Sequence, residues 1–214
     1  MYKVIDLKTY PKRKQYNWFS TFSNPCYGID VEIDVTKLVK YSKETKTSFF
    51  VNFLYLVTKS MNCIDELRLR VEENEIRLYD VINPSFTVMT NSGVFENASV
   101  EWNDNFNDFY KNTKEIIEKI KVQEKVKDEY NSERYNYYYM TCLPWLDYKS
   151  MTHPIPSGNV VSYSVPRVCW GKYTLKEDKY SLVLNITVSH ALVDGYPLSQ
   201  AFLLIQENVN KLNF

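Results

Sequence analysis

An α/β fold is predicted by three features of the sequence. Residues 28–35 alternate apolar and acidic side chains, the period of a half-buried strand. Residues 48–62 place Phe49, Phe50, Phe53, Leu54, Val57 and Met61 at helical spacing. Strand-like and helix-like segments are interspersed along the whole chain, with no linker, repeat or low-complexity tract between them. The length of 214 residues suits one domain, residues 1–214, with a substantial core.

Taken in order, Ile29, Val31, Ile33 and Val35 form the apolar face of the first strand. Thr36 then reads as the N-cap of a helix through Leu38 and Val39. The helix over 48–62 follows. Residues 68–72 and 76–80 read as two strands around the polar turn at Glu73, Asn74 and Glu75. Asn83-Pro84 breaks the chain before a strand over 85–90. Phe106, Phe109, Tyr110, Ile116, Ile117 and Ile120 mark an amphipathic helix over 104–121. The charged stretch 122–136 reads as a surface loop. Residues 137–142, 160–165 and 168–173 suit strands, and 176–179 suit a turn into the strand 180–189. Pro197 starts a helix whose apolar face runs through Leu198, Ala201, Phe202, Ile205, Val209 and Leu212.

Composition excludes several functions. Lys+Arg and Asp+Glu are both 26, so the chain has no global charge to draw it to nucleic acid or an anionic membrane. Apolar residues at 44% and charged residues at 24% exclude disorder and collagen-like repeats. The five glycines are scattered, so neither GxGxxG nor a P-loop can be built. Cys26, Cys63, Cys142 and Cys169 form no CxxC pair, and no metal site is expected. Phe49 to Val57, the most apolar run, is too short for a bilayer. Free thiols and an N-terminus without an apolar signal core make the cytoplasm the expected location.

Only two histidines are present, so the search for a base that works near neutrality is short. His153, in the turn-like Thr152-His153-Pro154, reads as an exposed loop residue. His190 continues the even-numbered apolar face of its strand (Leu182, Leu184, Ile186, Val188), so it should project on the buried side. A sharp turn through Asp194-Gly195 and a helix follow it, and functional groups cluster at such strand ends. From position alone, a structural role for His190 is the favoured reading, since most buried polar groups are structural. Asp194 is either a turn residue or one half of a buried ion pair that braces the site.

His190-Ala-Leu-Val-Asp194-Gly195 matches the HxxxDG signature of CoA-dependent acyltransferases. The wider sequence resembles the classical trimeric chloramphenicol acetyltransferases over nearly its whole length. The landmarks are Tyr10-Pro11-Lys12-Arg13, Val31-Glu32-Ile33-Asp34-Val35-Thr36, Asp65-Glu66-Leu67-Arg68, Asn83-Pro84-Ser85-Phe86, Leu143-Pro144-Trp145 with Ser150 after it, and Gly171-Lys172-Tyr173. The resemblance implies a two-layer sandwich, a mixed β-sheet packed against helices. It implies a homotrimer with active sites at subunit interfaces, acetyl-CoA as co-substrate and a small alcohol, chloramphenicol, as acceptor. His190 would be the general base, with its other ring nitrogen held by its own carbonyl, and Ser150 the oxyanion donor. Asp194 would pair with a basic residue near the N-terminus. Lys12 stands at the family's arginine position, and Arg13 beside it is the favoured partner because of its bidentate fork. Trp18, Phe19 and Cys169 would line the pocket.

Three departures bear on the acceptor. Ser189 stands where many members have a first histidine. Cys169 replaces a frequent threonine, and Phe19 replaces a frequent tyrosine. They leave two alternatives open: the same transfer to another hydroxylated acceptor, or a catalytically silent binding protein on the same fold. The acyltransferase core of a 2-oxo-acid dehydrogenase complex shares the motif, but no lipoyl domain or Pro/Ala-rich linker is present.

Overall fold

The computed structural model describes residues 1–123, 135–156 and 158–214. In chain order the elements are β1 (Tyr2–Ile5), α1 (Arg13–Phe19), β2 (Cys26–Asp34), α2 (Thr36–Glu44) and α3 (Phe49–Asn62). After a 3₁₀ turn at Asp65–Arg68 come β3 (Leu69–Glu72), β4 (Glu75–Tyr79), β5 (Asn83–Met89), β6 (Phe95–Ser99) and α4 (Phe106–Lys121). The last are β7 (Tyr137–Leu143), α5 (Val160–Ser164), β8 (Arg167–Gly171), β9 (Thr174–Lys176), β10 (Lys179–Ser189) and α6 (Gly195–Lys211).

β10 organises the larger sheet, whose order is β2-β10-β8-β7-β5-β6 with β9 also on β10. β5, β7 and β8 run parallel to one another and the remaining pairs are antiparallel, so the sheet is mixed. The even-numbered residues Leu182, Leu184, Ile186 and Val188 are all buried. They face a helical layer in which α3 is apolar nearly all round: Val51, Phe53, Leu54, Leu56, Val57 and Met61 have no exposed surface. Each such side chain contributes about 1.5–3 kcal/mol of burial. The two-layer α/β arrangement is the expected one.

The expected strand pair around Glu73 and Asn74 forms as β3 and β4, and β1 joins it to make a second, separate three-stranded sheet, β1-β4-β3. Its β3–β4 hairpin turns on Glu73 and Asn74, both at positive φ (52° and 64°), the two-residue turn that suits right-twisted strands. Arg70 ties this sheet to the larger one. Its buried guanidinium donates to the carbonyls of Leu67, Leu69, Tyr135 and Tyr137 at 2.6–2.9 Å. Burial pushes its pKa down to about 10, outweighing the opposing pull of neighbours that include Glu72.

Local expectations need four corrections. Residues 160–165 are not a strand: α5 forms there, with the Asn159 side chain accepting from the Ser162 amide at 2.9 Å. Thr36 is the first helical residue rather than the cap, and the Asp34 carboxylate accepts its amide at 2.9 Å. β1, α1, β6 and β9 are additional elements, and the strand expected over 168–173 ends at Gly171. The predicted loop over 122–136 lies mostly outside the described residues.

Candidate active site

His190 follows the last residue of β10 and is half-buried. Its amide donates to the Pro25 carbonyl at 2.8 Å, which anchors the strand end against the start of β2. The ring packs against two aromatic side chains. Phe19 stacks on it with centroids 3.9 Å apart at 12°, and Tyr27 lies 4.7 Å away at 35°. Tyr27 in turn donates its hydroxyl to the Val193 carbonyl at 3.3 Å, fastening the turn after the histidine. Burial, with Asp194 nearby, raises the Tyr27 pKa to about 12, so it stays a neutral donor. The His190 Nδ1 atom is buried and has no hydrogen-bond partner among the described residues. The expected bond to its own carbonyl is therefore not formed; stacking fixes the ring plane instead.

Asp194 begins α6, but its carboxylate does not cap the helix. It receives the Lys12 ammonium at 3.1 Å, and Lys12 also reaches Glu66 at 2.9 Å. Burial opposes the lysine charge, yet the two carboxylates outweigh it and raise the Lys12 pKa. The preference for Arg13 is corrected. Arg13 is exposed at the start of α1, and Lys12, one residue earlier, is the side chain directed at Asp194 and Glu66. A flexible point charge serves two carboxylates here without the guanidinium fork.

Trp18 is beside this site but 61% exposed, packed edge-on against Phe22 with centroids 5.5 Å apart. Trp18, Phe19 and Phe22 form an exposed aromatic cluster next to the imidazole.

Ser150 and Cys169 are elsewhere. Cys169 is buried in β8 opposite Asn185 of β10, and the Tyr148 hydroxyl donates to its carbonyl at 2.9 Å. Burial lifts its thiol pKa to about 11. Ser150 is exposed on the loop after β7, next to Met151, whose carbonyl lies 3.5 Å from the Asn185 amide nitrogen. His190 is five residues further along β10 than Asn185, about 17 Å at the usual strand rise. One chain therefore does not bring Ser150 or Cys169 to its own imidazole.

A cavity of about 590 Å³ lies at that distant end of the sheet. Val88, Met89, Phe95, Cys142, Leu143 and Trp145 make it mainly apolar, and Ser48, Thr87 and Thr141 supply hydroxyls. Sequence reasoning missed Thr141. It shares a register row with Cys169 and Asn185, so it too is about 17 Å from His190 along the strands. Thr141 lines this cavity, and Ser150 is on the loop that follows its Leu143–Trp145 wall. A cavity of about 710 Å³ lies behind the Lys12–Glu66 contact and excludes the imidazole.

His153 is half-buried rather than exposed. Burial and the Arg167 charge push its pKa down to about 4. Among the described residues, no group of three or more His, Cys, Asp or Glu could hold a metal ion. No helix of the described chain is long and apolar enough to cross a membrane.

The family model for chloramphenicol acetyltransferase matches residues 1–206. The chain belongs to the chloramphenicol acetyltransferase family. Chloramphenicol acetyltransferase 3 of Escherichia coli is 25% identical over 211 residues, 98% of this chain and 97% of that protein. The Bacillus pumilus chloramphenicol acetyltransferase is 26% identical over 201 residues, 94% of this chain and 90% of that one. A solved chloramphenicol acetyltransferase superposes with a TM-score of 0.88 at 24% identity, covering 98% of this chain and all of the other. The fold extends to a probable dihydrolipoamide acetyltransferase from Listeria monocytogenes, with a TM-score of 0.63 at 16% identity, covering 98% and 95%. Membership makes the chain an acetyl-CoA-dependent acyltransferase.

Proposed function

We propose that this protein transfers the acetyl group of acetyl-CoA to a hydroxyl of chloramphenicol, with His190 as general base. The observation that carries the reading is His190 itself: the histidine of an HxxxDG motif, at a strand end, clamped by aromatic rings in a member of this family. The acceptor hydroxyl gives its proton to the imidazole Nε2 as its oxygen attacks the thioester carbonyl. The tetrahedral oxyanion collapses, the carbon–sulfur bond breaks, and the CoA sulfur leaves with the proton returned by the imidazolium. An alcohol of high pKa needs such a base, worth about 10²–10⁴ in rate.

The site is proposed to form between copies. One copy supplies His190 with Phe19 and Tyr27, and its neighbour supplies the cavity under Trp145. The separation of about 17 Å within one chain supports this, as does the exposed Trp18–Phe22 cluster beside the imidazole. A homotrimer is the closed assembly expected of the family. Ser150, exposed on the loop that follows the Leu143–Trp145 wall of the cavity, is the oxyanion donor in this reading, with the Thr141 hydroxyl of the cavity as the alternative. A cytoplasmic setting fits the four free cysteines and the co-substrate.

Phe19, which presents no hydroxyl beside His190, favours a second reading: the same transfer to a different alcohol. The test is thiol release from acetyl-CoA with chloramphenicol present. Release that depends on chloramphenicol supports the first reading. CoA binding without release on chloramphenicol rejects it, and release with another alcohol then establishes the second. Ser150→Ala should cost about 10²–10³ in kcat and Thr141→Ala little; the reverse order moves the donor role to Thr141.

A further inference from the structure

The larger of the two cavities, about 710 Å³, lies behind the Lys12–Glu66 contact and has no part in the acetyl transfer. We propose that it is a second small-molecule site, built for a primary amine carried on an apolar or aromatic body. Such a site is independent of the acetyl-transfer reading.

The smaller sheet makes its floor. Lys3, Leu78 and Leu69 stand in one register row across β1, β4 and β3, so their side chains share a face, and all three line the cavity. Leu69 is buried, and Ile5 and Ile64 extend the apolar surface. Three other segments make the walls. Tyr10 and Lys12 precede α1, Asp65 and Glu66 belong to the 3₁₀ turn, and Tyr196 and Gln200 come from the start of α6. The Tyr196 ring is exposed at this wall. A concave, largely apolar space of this volume with a few polar groups has the character of a small-molecule site.

The polar groups give the class of ligand. Asp65 is paired with Arg68, which leaves the trio of Glu66, Lys12 and Asp194. One ammonium faces two carboxylates there, so the trio carries one surplus negative charge. Lys12 engages Glu66 through Oε1, and Oε2 has no protein partner among the described residues. The Tyr10 hydroxyl is buried and also has no hydrogen-bond partner among them. It lies within the field of the same trio. Burial raises its pKa, and Glu66 and Asp194 add to the rise against the opposing pull of Lys12, so the phenol stays neutral. Asp6 adds a further carboxylate to the lining, held by the Lys8 amide at 2.9 Å and by no cation among the described residues. Lys3, exposed on β1, has no carboxylate within ion-pair distance among them.

A buried hydroxyl without a partner is unfavourable, and a ligand that supplies one recovers the loss. An ammonium does this and neutralises the surplus charge as well. Its N–H groups meet the Tyr10 oxygen and Glu66 Oε2, and a carboxylate acceptor makes the stronger of the two bonds. The body of the ligand then lies on Leu69, Leu78 and Ile64. An anionic ligand would meet the surplus carboxylate instead.

The probe is 2-phenylethylamine, and 2-phenylethanol, with the same body and no charge, is the comparison. Calorimetry at low salt should give one site per chain with a Kd of about 0.1–1 mM for the amine, and at least about tenfold weaker binding of the alcohol. Added salt should weaken the amine and leave the alcohol unchanged. Tyr10→Phe and Glu66→Gln should each weaken the amine by about threefold to tenfold. Tyr10→Phe removes a single oxygen, so it carries the test even where Glu66→Gln fails to fold. His190→Ala and Thr141→Phe should leave amine binding within about twofold, because the imidazole and the 590 Å³ cavity lie elsewhere. Absence of saturable heat, equal binding of the alcohol, or amine binding unchanged in Tyr10→Phe overturns the proposal. Loss of binding in His190→Ala or Thr141→Phe places the amine in the acetyl-transfer site and overturns it too. Thiol release from acetyl-CoA is a separate measurement, so failure here leaves the acetyl-transfer reading standing.

Discussion

Lys12 offers a quantitative test of how the histidine turn is braced. Its ammonium lies 2.9 Å from Glu66 and 3.1 Å from Asp194, with each side chain roughly a third exposed. Replacing it by methionine removes two ion pairs and leaves two carboxylates facing each other. Exposed pairs are worth about 0.2–1 kcal/mol each, and partial burial favours the upper end. Carboxylate oxygens that share one ammonium at 2.9 and 3.1 Å can be no more than about 6 Å apart, and at that distance they repel by about 1–3 kcal/mol at an effective dielectric between water and a protein surface. Lys12→Met should therefore cost about 1–5 kcal/mol at neutral pH. For a domain of this size the midpoint should fall by about 2–4 °C per kcal/mol. The Lys12 pKa is raised on folding, so the stabilisation is complete below the ordinary lysine value of about 10.5 and is lost as pH rises through the folded value. Thermal unfolding of Lys12→Met, Lys12→Arg and Arg13→Ala, followed by circular dichroism, provides the assay. Lys12→Arg should stay near wild type, and Arg13→Ala should change the midpoint by under a degree. A Lys12→Met protein as stable as wild type, with Arg13→Ala clearly destabilised, would refute the assignment of the ion pair.

Other outcomes follow from the same structure. His153 has its pKa pushed from about 6.5 down to about 4, so the unfolded chain binds its proton first. Stability should fall by up to about 2 kcal/mol as pH drops through that window, allowing for its exposed edge, and His153→Asn should flatten the fall in urea titrations against pH. Burial raises the thiols of Cys26, Cys142 and Cys169 to about 11, 12 and 11, whereas Cys63 is exposed. Iodoacetamide at neutral pH should modify one thiol of the native protein rapidly, and Cys63→Ser should abolish that phase. At Gly171 an added Cβ would meet the Leu146 carbonyl at 2.8 Å and the Tyr148 ring at 3.1 Å. Gly171→Ala should displace the loop after β7, cost about 1–3 kcal/mol and lower turnover; unchanged melting and kinetics would show that the loop yields freely.

Much of the fold was legible because the long elements follow their periods. β10 alternates cleanly, and α3 and α6 carry apolar faces that cannot be satisfied outside a core. The elements missed have little to signal them. α1 buries none of its residues, so it has no apolar stripe. β1 is four residues long and largely exposed. The segment 160–165 misled because Val160, Val161, Tyr163 and Val165 have strand propensity, while the Asn159 cap and the surrounding packing turn it into a helix. The site divides in the same way. His190 and Asp194 were readable from a strand–turn–helix pattern. Lys12 against Asp194 and Phe19 against His190 are contacts across more than 150 residues of sequence, visible only after the sheet is assembled. Tyr27 could have been found, since it sits in β2 directly across from Val188. Thr141 could have been found as the polar end of β7, just before the Leu143-Pro144-Trp145 landmark.

Mixed assemblies test most directly whether an imidazole from one copy acts in the cavity of another. His190→Ala removes the base, and Thr141→Phe fills the cavity; each alone should be inactive. Unfolded together in equal amounts and refolded, they should regain about one quarter of wild-type turnover, because one quarter of the interfaces pair an intact histidine with an open cavity. Recovery near that level is the predicted result. Mixed assemblies as inactive as the separate variants would mean that base and cavity belong to the same chain, and would contradict the account.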